Sequence, residues 1–254
     1  MHNKKGKVIA ITSTKGGVGK TVLTLLLGYI YRRENLKVLI MDMDLYSGSV
    51  ALSLGMDVSK TVYNYADDLS NNRFEDIHDY VVAYDEKLDV LPACKDPRQA
   101  GKIDSKYLSM MIHHAKYSYD VILVDTTHIL GEHTVTIMDE SDIILSVMLN
   151  DPYNVKNEKS FVSILRDVEK SNMKLVLNES IFLGRSYFSS FDLKNVIKHG
   201  VDYTVSKDLN IRNIDKYLMD GTLFSYYDRL GTFDRGSYNK VVTMAKSLLN
   251  TEEE

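Results

Sequence analysis

The segment Thr14-Lys15-Gly16-Gly17-Val18-Gly19-Lys20-Thr21 constrains this chain more than any other. A β-branched apolar run, Val8-Ile9-Ala10-Ile11, leads into it, and Leu23, Leu26, Leu27 and Ile30 follow it at helical spacing. Strand, glycine-rich turn and helix together form the setting in which a phosphate loop works. Successive backbone N–H groups in such a turn point inward, and the N-terminus of the following helix adds partial positive charge. A Cβ at Gly16, Gly17 or Gly19 would collide with a phosphate or forbid the backbone angles. Lys20 then lies along the β- and γ-phosphates of a nucleotide, and the Thr21 hydroxyl ligates Mg²⁺.

Along the rest of the chain, short β-branched apolar runs alternate with longer amphipathic stretches. The runs predict strands over 7–13, 37–42, 88–91, 120–125, 142–149, 174–177 and 203–205. The stretches predict helices over 20–34, 106–116, 154–171, 192–199, 211–219 and 237–250. This alternation implies an α/β fold, a mostly parallel twisted sheet with helices on both faces, and the phosphate-loop motif at 14–21 makes the P-loop NTPase fold the expectation. With 254 residues, three prolines and no glycine- or serine-rich linker, one nucleotide-binding domain over 1–254 is expected. The segment 58–87 is the most polar and least regular, which places it on the surface.

Two acidic signals fall where such a sheet binds ligands. Asp42 and Asp44 close the second predicted strand at i and i+2, so both side chains point the same way into the crevice at the strand ends. A turn that caps the strand is the other reading of that pair. Val121-Ile122-Leu123-Val124-Asp125 is an apolar strand closed by an acid, the form of a Walker B strand, whose Asp125 binds Mg²⁺ through water.

Where the common phosphate-loop pattern has its first Gly, this chain has Thr14, and Lys15 follows it. Lys15-Gly16-Gly17-Val18-Gly19-Lys20-Thr21 resembles the deviant Walker A loop of the ParA/MinD family. The resemblance implies that the ligand is ATP with Mg²⁺, bound by Lys15, Gly16, Gly17, Val18, Gly19, Lys20, Thr21 and Val22. It also implies that Lys15 reaches the nucleotide of a second copy in a sandwich homodimer; a solvated lysine is the alternative. Asp44 then orients the attacking water and holds a water on Mg²⁺, with Asp42 in support, and catalysis rests on Lys15, Lys20 and Asp44. Leu175-Val176-Leu177-Asn178 is similar to the family strand whose terminal Asn meets the adenine edge; an Asn that only turns the chain is the alternative. Asp208 matches a family loop over the base, with Ser206 in place of its usual proline.

The segment 45–57 and Thr61-Val62-Tyr63-Asn64-Tyr65-Ala66-Asp67-Asp68 resemble the CpaE/TadZ pilus-assembly branch more than plasmid ParA proteins. The function implied is a slow, partner-stimulated ATPase that dimerises around ATP and positions a Tad-type pilus or secretion apparatus. Plasmid or chromosome partition and division-site placement form one alternative, and an ATP-gated scaffold without hydrolysis forms another. Thr127 and Val22 depart from the family pattern by lacking a proline and a second hydroxyl, and with Ser206 in place of the loop proline they favour the scaffold.

Several classes fall away. One cysteine, Cys94, excludes an internal disulfide and an iron–sulfur reductase that bridges its dimer with two cysteines per subunit. His113, His114, His128 and His133 lack the spacing of a metal site and read as packed or solvated. The 31 basic and 35 acidic residues are spread too evenly to show a DNA-binding patch. No run of eighteen apolar residues occurs, and the acidic end Glu252-Glu253-Glu254 argues for a packed last helix rather than a membrane-targeting one. A cytoplasmic protein is expected, recruited to a pole or a membrane-bound complex through partners.

Overall fold

A computed structural model describes residues 5–181, 184 and 186–250. Its strands are β1 (Lys7–Thr12), β2 (Val38–Met43), β3 (Val82–Ala83), β4 (Leu88–Leu91), β5 (Val121–Thr126), β6 (Ile143–Met148), β7 (Met173–Asn178) and β8 (Tyr203–Val205). They form one eight-stranded sheet in the order β3-β4-β2-β5-β1-β6-β7-β8. Every neighbouring pair is parallel except β3 with β4. Every residue of β2, β5 and β6 is buried, as strands covered on both faces require.

Alternation within β1 shows how the layers divide. Ile9 and Ile11 join a core with the helices Lys20–Arg33, Leu223–Phe233 and Arg235–Asn250, while Val8 and Ala10 face the opposite core with the helices Val62–Ser70 and Ser105–Ser118. The last helix buries Val241, Met244, Ala245 and Leu248, so it packs as expected. Glu252-Glu253-Glu254 lies outside the described residues. No helix among the described residues is long and apolar enough to cross a membrane.

The chain between 58 and 87 corrects the expectation of an irregular surface segment. A capping box of Thr61 and Asn64 opens the helix Val62–Ser70, whose Val62, Tyr65, Ala66 and Leu69 are buried. Tyr65 stacks on Tyr80 at 4.5 Å and on Phe74 at 5.1 Å between ring centroids. Aromatic rings supply the apolar area that the charged neighbours conceal in a composition count. The helices Glu132–Asp139 and Leu223–Phe233 also lie outside the predicted ranges.

Because β1 sits between β5 and β6, the chain leaves it on one side toward β2 and returns on the other. The C-terminal ends of β1, β2, β5 and β6 therefore open onto one crevice, the place where open α/β sheets hold ligands.

Candidate functional site

The phosphate loop links β1 to the helix Lys20–Arg33 as the sequence implies. Gly17 and Gly19 adopt φ of 73° and 92°, a left-handed backbone that a side chain strains. Gly19 is the N-cap and brings no capping side chain, so the first-turn N–H groups remain available to an anion. A Cβ on Gly19 would also stand 2.6 Å from the Asn178 amide nitrogen. Val18 is fully buried and anchors the middle of the loop. Lys20 Nζ donates to the Ser13 hydroxyl at 3.1 Å, and that hydroxyl donates to the Lys15 carbonyl at 2.8 Å. Two residues ahead, the Val22 carbonyl accepts from the Tyr227 hydroxyl at 3.0 Å.

The acids meet the loop through strand register. Asp42 of β2 pairs with Asp125 of β5, and both are buried. The Thr21 hydroxyl donates to Asp125 Oδ2 at 2.6 Å, and the Thr24 hydroxyl lies 3.4 Å from Oδ1. Burial pushes the Asp125 carboxyl up, against the pull of Thr21 and the Lys20 ammonium. Asp42 is raised well above its ordinary value, by burial and then by Asp125, although its Oδ2 accepts the Val50 N–H at 2.9 Å. Its Oδ1 is buried and has no hydrogen-bond partner among the described residues. Burial draws the Lys20 ammonium down, with Asp125 and then Asp44 acting in the opposite direction. Half-buried Asp44 directly follows β2.

This donor set suits a magnesium nucleotide. Thr21, Asp125 and Asp44 offer hard oxygen atoms, while Lys20 and the loop N–H groups offer positive charge to phosphates. Among the described residues no cluster of three or more His, Cys, Asp or Glu forms a ready-made metal cage. Mg²⁺ is commonly held by one or two protein oxygens together with phosphates and water, and these residues fit that arrangement.

Lys15 is paired within its own chain. Its Nζ lies 2.9 Å from Asp151 Oδ2, while Asp151 Oδ1 accepts the backbone N–H groups of Tyr153 and Asn154 and caps the helix Pro152–Asp167. Burial pushes the Asp151 carboxyl up, but Lys15 and the two N–H groups together hold it below the usual carboxylate range. Asn178, at the end of β7, donates to the Val18 carbonyl at 2.8 Å and accepts from the Ser180 N–H and hydroxyl. Asp208 is set apart from these contacts, its carboxylate receiving the Ser206 and Ser237 hydroxyls.

Sequence reasoning missed three contributors: Asp151, Asn154 and Glu158. The ring of His128 would stand 3.6 Å from a Cβ on Gly16, so it packs beside the loop. Asp151 was legible as an Asp-Pro helix start after β6, a standard N-terminal signal.

Residues 6–179 match the family model described as an AAA domain. The chain is 29% identical over 188 residues to the sporulation initiation inhibitor protein Soj of Bacillus subtilis, covering 70% of this chain and 72% of Soj. A ParA family ATPase from Chlorobium tepidum superposes with a TM-score of 0.80 at 20% identity, over 96% of this chain and 99% of that one. The septum site-determining protein MinD of Pyrococcus horikoshii, solved with Mg-ADP, gives 0.77 at 21% identity, over 98% and 99%.

Proposed function

The chain belongs to the AAA-domain family of ParA/MinD-type P-loop ATPases, and from that premise we propose that it is a dimerising ATP switch that positions another cellular assembly. The observation that carries this reading is the convergence of Lys15, Lys20, Thr21, Asp44 and Asp125 on one end of the sheet. Lys20 neutralises charge that develops on the γ-phosphate, and Asp44 orients water for in-line attack. Thr21 would hold Mg²⁺ directly and Asp125 through water, and the ion would supply charge neutralisation to the phosphates. Lys15, in the deviant Walker A role, leaves Asp151 and reaches the nucleotide of a second copy. Asn178 and Asp208 are proposed to border the base, and the protein works in the cytoplasm, recruited to its site by protein partners.

The names of the relatives, a sporulation initiation inhibitor and a septum site-determining protein, support partition or division-site placement as the positioning task. A second reading, a Tad-type pilus or secretion apparatus, is favoured by the resemblance of residues 45–57 to the CpaE/TadZ branch. Neighbouring genes separate the two: a centromere-binding protein gene supports the first, and secretion ATPase and pilin genes the second.

Phosphate release from wild type and Lys20→Ala tests the enzymatic claim. Wild-type turnover with loss in the variant is expected, and equal release from both would refute it. Sedimentation with ATP tests the switch: a dimer that dissociates as ATP is consumed supports it, a dimer that outlasts intact ATP indicates the non-hydrolysing scaffold suggested by Val22 and Thr127, and a monomer with bound ATP refutes both.

A further inference from the structure

Thr14 opens the phosphate loop with a side chain where the common pattern has none, and that side chain is fully engaged. Its hydroxyl donates to Glu158 Oε2 at 3.0 Å and accepts from Asn154 Nδ2 at 3.0 Å. Its carbonyl accepts from Asn157 Nδ2 at 3.3 Å. Behind it, Glu158 Oε1 accepts the Ser146 hydroxyl of β6 at 2.6 Å, and Asn154 Oδ1 accepts the Leu149 N–H at 2.8 Å. Asn154, Asn157 and Glu158 lie on one side of the helix Pro152–Asp167, the helix whose N-cap, Asp151, holds the neighbouring Lys15.

Glu158 and Asn154 are both 0% exposed. The stripe Val155, Phe161, Val162 and Leu165 that surrounds Glu158 along the helix is apolar, and a leucine would fill the same position without the cost of burying a carboxyl. A buried carboxyl in such a stripe is justified by what it binds, and here it binds two hydroxyls, one on the sheet and one on the loop.

We propose that Glu158 is a positioning residue for the phosphate loop, fixing Thr14 through the chain Ser146–Glu158–Thr14–Asn154 so that the loop is held in its nucleotide-receiving form. Thr14 lies between Ser13, which bonds both Lys20 and the Lys15 carbonyl, and Lys15 itself. Fixing one residue therefore steadies both lysines. The consequence for nucleotide rests on the ATP reading of the loop, and the tether itself does not.

The test compares wild type with Thr14→Val, which keeps the shape and deletes the hydroxyl, Thr14→Ser, which restores it, and Glu158→Leu. Calorimetry with Mg-ATP is expected to show Thr14→Val weakened about tenfold, the scale of leaving a buried polar group without its hydrogen-bond partner. Thr14→Ser should recover most of that loss. Glu158→Leu should lose a similar factor, and the double variant Thr14→Val/Glu158→Leu should be no worse than either single, because one chain is broken once. A purely structural role would lower melting temperature and leave affinity unchanged. Folded Thr14→Val with wild-type affinity, or losses that multiply in the double variant, overturn the proposal. Should Glu158→Leu fail to fold, the Thr14→Val and Thr14→Ser pair decides alone. Should wild type itself bind no Mg-ATP, the nucleotide reading falls, and amide hydrogen exchange over residues 14–19 judges the tether: faster exchange in Thr14→Val than in Thr14→Ser supports it, and equal rates overturn it.

Discussion

Replacing Glu158 by Gln should change how the stability of the fold depends on pH. Burial pushes this carboxyl from the ordinary value of 4.5 up to about 7, against the pull of the Ser146 and Thr14 hydroxyls. A carboxyl whose folded value lies above its unfolded one contributes stability that is fully present below the unfolded value and is lost as pH rises through the folded one. The native state holds the proton more tightly, so unfolding is helped once solution pH removes it. The separation corresponds to about 3 kcal/mol when the whole window is crossed, most of it between pH 5 and pH 8. The amide introduced by Glu158→Gln does not titrate, and it keeps the shape and one acceptor oxygen. Urea unfolding of both proteins at the two pH values measures the difference. Comparing the two removes the contributions of Asp42 and Asp125, whose raised carboxyls are common to both. From pH 5 to pH 8 the variant should gain about 2 to 3 kcal/mol relative to wild type. Parallel pH dependences in the two proteins would show that Glu158 is ionised throughout, and the reasoning from burial would fail.

Asp151→Asn keeps a good helix cap and removes the negative charge facing Lys15, so the ATP-bound dimer should form at a severalfold lower protein concentration in sedimentation; this partly exposed pair is worth up to about 1 kcal/mol. Thr21→Val removes the hydroxyl that donates to Asp125, and ATP affinity measured by calorimetry should fall about tenfold with Mg²⁺ present while changing little in a chelator. Gly19→Ala places a Cβ against Asn178 at a φ of 92°, so nucleotide binding should fall by more than about tenfold and the melting temperature should drop. Unchanged binding by that variant would show that the loop adapts.

Seven of the eight strands were legible because β-branched apolar runs survive in a sequence whatever surrounds them; β3, two residues long at the edge, carries no such signal. The closeness of Thr21 and Lys20 to Asp125 was legible because a phosphate loop is local and the acid ends an apolar strand. Glu158 was not. It repeats with Val155, Phe161, Val162 and Leu165 at helical spacing, and a single acid within such a stripe is as easily read as an exposed residue on a turned face. Its partners Thr14 and Ser146 are 144 and 12 residues away, separations over which spacing says nothing about contact. The predicted helix begins at 154, two residues past Pro152, which leaves Asp151 in a loop and its pairing with Lys15 out of reach.

The two missed acids belong to one helix, Asp151 as its cap and Glu158 within it. Asp151 holds the side chain of Lys15, while Asn154, Asn157 and Glu158 hold the residue before it. The partly exposed ion pair is cheap to break, because water competes for the same ammonium. The buried contacts at Thr14 are costly to break, because each leaves a desolvated polar atom without a partner. On the proposed dimer reading, Lys15 would leave Asp151 for the phosphates of a second copy while its backbone stays anchored at Thr14. In that reading a loop fastened at Thr14 and released at the Lys15 side chain would change state by one ion pair, with the cradle for nucleotide kept in both states.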